Sequence, residues 1–291
     1  MWKLTQIEII KIFRRPRTYI SFAAVWAIVS LIQLAIYADG PKYMDFVLKD
    51  IKDSFDVIGN PLNGYFVCFV ILQTLLVHVP LLVALVSADM IAGEANMGTL
   101  RLLITKPVSR TRLLLSKFMA SAIYTVVLLL WIALLGLFLS MLIFGTDGMI
   151  NAKSYEIIIL NGNDIFWRYL LAFAYATLAL ITVASLGFFF SVFAENSLGP
   201  IVATMSVIIV FTILTSLDIP LFQSIRHLFF TSHMLGWKGF FEMQTDAEGM
   251  ALPGTIRNLP AVLKSAAVLL GHVVALVGGA ILIFKKKDIL S

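Results

Sequence analysis

The sequence predicts an all-α polytopic membrane protein, and three observations carry that reading. Of its 291 residues, 60% are hydrophobic and 13% charged, with a mean hydropathy of +0.94, whereas soluble domains carry about a quarter charged residues. The apolar runs last about 20 residues or more, the length at which a helix crosses roughly 30 Å of hydrocarbon; membrane strands would instead alternate over about ten residues. Basic residues, finally, gather in alternate gaps between those runs. The net charge of +5 is therefore a topology signal, and nucleic acid is not an expected partner.

Residues 1–17, MWKLTQIEIIKIFRRPR, are predicted as a short amphipathic helix. Trp2, Ile9, Ile10 and Phe13 fall on one side and Lys3, Lys11 and Arg14 on the other. Such a helix lies in the headgroup plane with its cations near anionic lipid, and Pro16 breaks it before the first span. The rest of the chain, 18–291, is read as one six-helix transmembrane domain. Its spans fall at about 18–38, 66–92, 113–145, 169–193, 199–217 and 262–284. The first is too long for a signal-peptide core, and Ile36-Tyr37-Ala38 lacks the small residue wanted before a cleavage site, so it is expected to be retained. Only Ala194 to Leu198 separate spans four and five, which requires a tight antiparallel hairpin.

Lys3, Lys11, Arg14, Arg15 and Arg17 share one side of this topology with Arg101, Lys106, Arg110, Arg112, Lys117 and Lys285 to Lys287. The opposite side holds fewer cations over much more chain. The positive-inside rule then puts both termini in the cytosol of a bacterial or archaeal cell, with the chain multi-pass in its plasma membrane. The outer loops are 39–65, 146–168 and 218–261. In the first, Met44, Val47, Ile51, Phe55 and Ile58 recur at helical spacing among acids, as in an exposed amphipathic helix that packs on the outer mouth or meets an extracytoplasmic partner. The last concentrates Phe222, Phe229, Phe230, Trp237, Phe240 and Phe241, the signature of an interfacial or partly re-entrant helix pair. His227 and His233 lie there without the paired spacing or further ligands of a metal site, so none is expected.

Cys68 is the single cysteine; it excludes an intramolecular disulfide and reads as a small buried hydrophobe. Polar groups inside the spans are Gln33, Gln73, His78, Asp89 and His272. Asp89 is about 7 Å from Glu94 along a helix rising 1.5 Å per residue, so it can reach the interface and pair with Arg14, Arg15 or Arg17. His78 and His272 are expected as hydrogen-bonded neutral imidazoles inside the bundle. A coupled secondary transporter would collect more such groups at mid-membrane.

Between spans two and three runs GEANMGTLRLLITKPVSRTRLLLSKF, residues 93–118. Gly98 can end one helix and Thr99 can cap a short one, Leu100 to Thr105. Leu100, Leu103 and Ile104 would give that helix an apolar side and Arg101 an exposed charge. Pro107 disfavours helical geometry at Lys106, and Ser109 can cap the helix that becomes span three. The punctuation predicts an elbow lying across the cytosolic face.

These residues resemble the permeases of ABC-2 type exporters. The likeness rests on Gly93-Glu94, Gly98-Thr99-Leu100, Pro107-Val108-Ser109-Arg110 and Lys117-Phe118, with Ser116 where the pattern often has glycine. The N-terminal helix resembles that family's connecting helix, and Phe284 to Ile289 its basic end after span six. The branch that includes the nitrous-oxide-reductase maturation permease is the more similar one. The resemblance implies a type V exporter-like fold in which residues 94–106 form the coupling helix that docks on a separate ATPase subunit. Glu94, Gly98, Thr99, Leu100, Arg101, Leu103, Ile104 and Lys106 would then be the coupling residues, and Pro107, Ser109 and Arg110 the elbow behind them. ATP and Mg would act through that partner: the sequence has no phosphate-binding G-x-x-x-x-G-K-[ST], and no cofactor, metal or catalytic residue is expected in this chain itself. A homodimer, or a pair with a paralogous permease, would enclose a path for an amphiphilic or lipid-like cargo. ATP-driven closure would push the elbow sideways and tilt spans two and three.

Two other readings use the same residues. An ATPase-driven mechanotransmitter would act on an extracytoplasmic partner through the acidic helix at 44–58 without moving a substrate. A secondary transporter would need none of the ATPase coupling. An intramembrane enzyme lacks any nucleophile or metal motif in the sequence.

Overall fold

The computed structural model describes residues 1–47, 62–100, 107–153, 156–160, 162–217, 219–246 and 251–287. Among them, six helices are long and apolar enough to cross a membrane: Pro16–Lys42, Gly64–Asn96, Arg110–Phe144, Asp164–Ser191, Leu198–Ser216 and Leu259–Lys286. Each falls on a predicted run, and they are numbered here as spans one to six. A separate helix α1, Trp2–Phe13, precedes them. Both α1 and the last turn of span six lie at one end of the bundle, called here the basic end.

Span four is the centre of the bundle. Two thirds of its most apolar stretch is buried (67%), against 11% for span five. It packs on spans two, three, five and six, and Ala172, Ala176, Ala179, Val183 and Ala184 are fully covered. The short gap between spans four and five gives the expected hairpin, with span five starting at Leu198. Cys68 is buried in span two, as expected.

Spans two and three are not continuous α-helices. Span two is broken at Ala88 into helices Gly64–Ser87 and Asp89–Asn96. Span three runs as an α-helix over Arg110–Ala133, as a π-helix over Leu134–Leu139, and as α-helix again over Ser140–Phe144. Gln33 of span one, itself buried, donates from Nε2 to the Leu135 carbonyl at 2.8 Å and to Ser140 Oγ at 2.9 Å. A wide turn in low-dielectric surroundings needs such a donor to satisfy its backbone.

The end of the bundle opposite the basic end departs from the sequence expectation in three ways. Span one's helix continues to Val47, so the first residues expected in a separate amphipathic helix at 44–58 extend span one; residues 48–58 lie outside the described residues. The loop at 146–168 holds a two-stranded antiparallel hairpin, β1 (Met149–Lys153) against β2 (Glu156–Leu160), with Met149 opposite Leu160. The fold class stays all-helical as predicted, and this hairpin is a local addition in a loop, where an isoleucine run favours extended backbone. The aromatic loop is a chain of short helical turns, Pro220–Ile225, Arg226–Leu228, Phe230–Met234 and Leu235–Phe241.

That loop is anchored in the bundle. Trp237 and Phe241 are fully buried, and both rings pack on Phe69 of span two at 5.1 and 5.5 Å between centroids. Arg168 near the start of span four, fully buried, supplies the polar part of the anchor. Its Nη1 donates to the Phe240 carbonyl at 2.5 Å, and its Nη2 to the Thr255 carbonyl at 2.8 Å and to Asp164 Oδ2 at 2.7 Å. Only the planar fork of arginine reaches two carbonyls and a carboxylate at once.

Removing Arg168 would take away the charged donor of Asp164 Oδ2 and of two loop carbonyls. Arg168→Leu is expected to destabilise the detergent-solubilised chain by about 3–5 kcal/mol, measured by denaturant unfolding. Arg168→Lys should recover less than half of the loss, and full recovery by lysine would refute the role of the fork.

Candidate functional site: a charged junction at the basic end

The polar gap between spans two and three enters and leaves the bundle through a knot of buried charge. Glu8 of α1, Glu94 at the end of span two and Lys117 of span three are only 5%, 3% and 1% exposed. Lys117 Nζ donates to Glu8 Oε2 at 2.9 Å and lies 2.7 Å from Glu94 Oε2, an ion pair set off the hydrogen-bond direction. Lys11 completes the ring, donating to Glu8 Oε1 at 2.7 Å and to Glu94 Oε1 at 2.8 Å. Two carboxylates and two ammonium groups thus balance, the condition under which buried charge is tolerated.

A second group adjoins it. Asp89, at the break in span two, accepts from Arg15 and Arg17 of the turn into span one and from the Ser197 hydroxyl before span five. The expected pairing of Asp89 with the basic run is borne out for two of the three arginines named. Gly93 makes room for it, since a Cβ there would collide with the Asp89 carboxylate. The break at Ala88 frees backbone N–H groups. Ser191 at the end of span four accepts from two of them, Ile91 N at 3.0 Å and Ala92 N at 2.9 Å, acting as a helix cap supplied from another helix. Span six joins through Arg110, whose Nη1 donates to the carbonyls of Phe284, Lys285 and Lys287. Every span except span six therefore meets the Asp89 and Glu94 groups, and span six is tied to the elbow.

The charges of the ring act on one another. Burial alone would push the Glu8 carboxyl up; the Lys117 charge and the hydrogen bonds from Lys11 and Lys117 overcome it and hold its pKa below the ordinary 4.5. Burial would likewise lower Lys11, but its bonds to Glu8 and Glu94 carry it above the ordinary 10.5. Both directions favour the ionised ring.

The predicted site residues divide accordingly. Gly98 does end a helix, with φ at +69°, the left-handed conformation that glycine adopts without strain. Thr99 and Leu100 are helical; the Thr99 hydroxyl bonds back to the Glu94 carbonyl at 3.3 Å, closing the preceding helix. Ser109 caps span three by accepting from Arg112 N. Glu94 and Leu100 both point inward, Leu100 being 5% exposed, so they anchor the segment. Asn96, Met97, Gly98 and Pro107 are exposed, whereas Arg101, Leu103, Ile104 and Lys106 lie outside the described residues. Ser116 is buried and donates to the Leu113 carbonyl at 2.8 Å, so the departure from glycine is self-satisfied. Phe118 packs edge-on against Phe188 of span four.

Two expectations change. The face of α1 turned to the bundle is Thr5, Glu8 and Ile12; of the predicted apolar side, Ile9 and Phe13 pack partly against the core while Trp2 and Ile10 are exposed, because the helix is turned to bring Glu8 to Lys117. His78 is exposed and bonds to the Thr74 carbonyl of its own helix, so it is not enclosed by this chain. His272, half-buried, bonds to the Val268 carbonyl. His233 engages Ser265 Oγ and the His227 carbonyl through its two ring nitrogens. Sequence reasoning missed Glu8, Ser191 and Ser197; the available signal was a lysine, Lys117, within an otherwise apolar run.

Six spans closed at one end by a charged junction define a multi-pass helical membrane protein. The chain belongs to the family described as Protein of unknown function (DUF2705), whose model matches residues 19–290. It is similar to the Uncharacterized protein YhcI of Bacillus subtilis (strain 168), 30% identical over 117 residues, which is 39% of this chain and 37% of that protein.

Lys117→Met would leave Glu8 and Glu94 buried with one shared cation, and is expected to cost about 3–5 kcal/mol in a denaturant titration. Adding Glu8→Gln should restore part of it, and simple additivity of the two would argue against the ring. In pH, the Glu8 contribution should be complete above about 4.5 and lost as pH falls through its depressed pKa. That of Lys11 should be complete below about 10.5 and lost as pH rises through its raised one. Thermal midpoints across pH check both limbs.

Proposed function

We propose that this chain is the membrane-spanning permease subunit of an ATP-binding cassette transporter, exporting an amphiphilic or lipid-like substrate with a separate ATPase subunit. The observation that carries the proposal is the anchoring of residues 93–110 at both ends. Glu94 opens the segment and Lys117 follows it, and the two are locked to each other and to α1. A lateral push on the segment is then passed to spans two and three as rigid bodies, because separating any one charge from the ring costs several kcal/mol. With Glu94 and Leu100 turned inward, contact with the ATPase falls to the exposed Asn96, Met97 and Gly98 and to the side chains of residues 101–106.

The cargo class is supported by an open apolar groove of about 260 Å³ between spans two and five. Leu76 and Pro80 form one wall, Met205 and Ile208 the other, and Met234 of the aromatic loop covers it. A groove of this composition suits an acyl or other aliphatic chain. In this reading both termini and the basic end face the cytosol, and a second copy or a paralogue completes the path.

The tagged chain, purified from its native membrane, should bring down an ATP-hydrolysing subunit, and Leu103→Asp should abolish that association while leaving the chain inserted and folded. A native complex without ATPase activity, or unchanged association and activity in Leu103→Asp, would overturn the proposal.

A further inference from the structure

We propose that the lateral groove between the basic ends of spans four and six binds one anionic phospholipid of the adjoining leaflet. The groove has a volume of about 410 Å³ and opens sideways between Val192 and Phe193 at the end of span four and Ile283, Lys286 and Lys287 in the last turn of span six. Ile283, half-buried, and Phe193, 55% exposed, give it its apolar wall, with the fully buried Val192 beneath them. Lys286 is exposed at the rim. Lys287 donates one ammonium proton to the Val192 carbonyl at 2.8 Å, which holds its charge over the groove and leaves two donors unspent.

Helix C-termini disfavour anions because their last carbonyls carry partial negative charge. Here Arg110 offsets that charge by donating to the carbonyls of Phe284, Lys285 and Lys287 at 3.2, 3.1 and 2.8 Å. The carbonyl end of span six is thereby less repulsive to an anion. Among the described residues, no carboxylate forms an ion pair with Arg110, Lys285, Lys286 or Lys287. Glu195, in the turn after span four, is exposed and pairs with none of them; Asp288 lies outside the described residues. The contrast with the ring around Lys117, where every carboxylate is matched, is sharp.

Unmatched cations above an apolar slot call for a ligand with an anionic head and a hydrocarbon tail. A zwitterionic headgroup cancels most of the attraction, and free phosphate leaves the slot unfilled. An anionic phosphodiester with its acyl chain along Phe193 meets both demands. The site requires only that the chain spans a membrane and is independent of the transport reading.

Native mass spectrometry of the full chain in mild detergent, with phosphatidylglycerol and phosphatidylcholine supplied equally, tests it. The wild type should retain one phosphatidylglycerol in preference to phosphatidylcholine. Lys286→Gln with Lys287→Gln should weaken that retention about thirtyfold, or roughly fivefold per basic residue. Lys286→Arg with Lys287→Arg should preserve it, and so should Lys3→Gln with Arg14→Gln at the exposed face of α1. Equal retention of the two lipids by the wild type, unchanged retention in the glutamine pair, or displacement of the lipid by inorganic phosphate would each overturn the assignment.

Discussion

Glu8, Glu94, Lys11 and Lys117 form a neutral ring of four charges from α1, span two and span three, and three of the four are almost wholly removed from water. A lone charge in that position would be untenable; four together are tolerable only while all remain in place. The ring consequently fixes which face α1 turns inward, where span two ends and how span three starts. Asp89 extends the constraint to the turn before span one and to span five, and Ser191 extends it to span four. The two ends of the polar gap, residues 93–100 and 107–110, are thereby tied to the bundle.

The six spans were legible because hydropathy sums over some twenty residues and tolerates individual exceptions. Asp89 was legible as well: a carboxylate one turn inside the interface, opposite a run of arginines, has few other partners. Glu8 was not. On a helix of this size a single acid reads as surface, and its partner Lys117 is 109 residues away. Only the inward demand of Lys117, a cation among leucines, pointed to it. The β-hairpin escaped for a related reason. Its two strands are five residues each, too short for alternation to stand out beside helices of thirty.

The two ends of the bundle solve the same problem with different chemistry. At the basic end carboxylates and cations neutralise each other across helices. At the opposite end one guanidinium, Arg168, holds backbone carbonyls of a loop whose aromatic rings fill the space above span two. Span four supplies a partner at both ends, Ser191 and Arg168, which explains its central burial. Span five is secured by Ser197 and Asp89 at one end and buries little of its length, so it is the span least constrained by this chain alone.

The π-helix in span three has a geometric consequence for everything beyond it. An α-helix turns by about 100° per residue, and a π turn absorbs one residue more than the α-helical count. Side chains after Leu139 therefore face directions that an uninterrupted helix would assign to their neighbours. It is in this shifted frame that Ser140 meets Gln33 and that the Gly145 carbonyl receives the Gly64 N–H at 2.9 Å. A single-residue deletion between Leu134 and Leu139 would let the helix wind normally and turn the far end of span three away from both contacts. The numbering of that short stretch thus sets the angular phase of the span's last five residues.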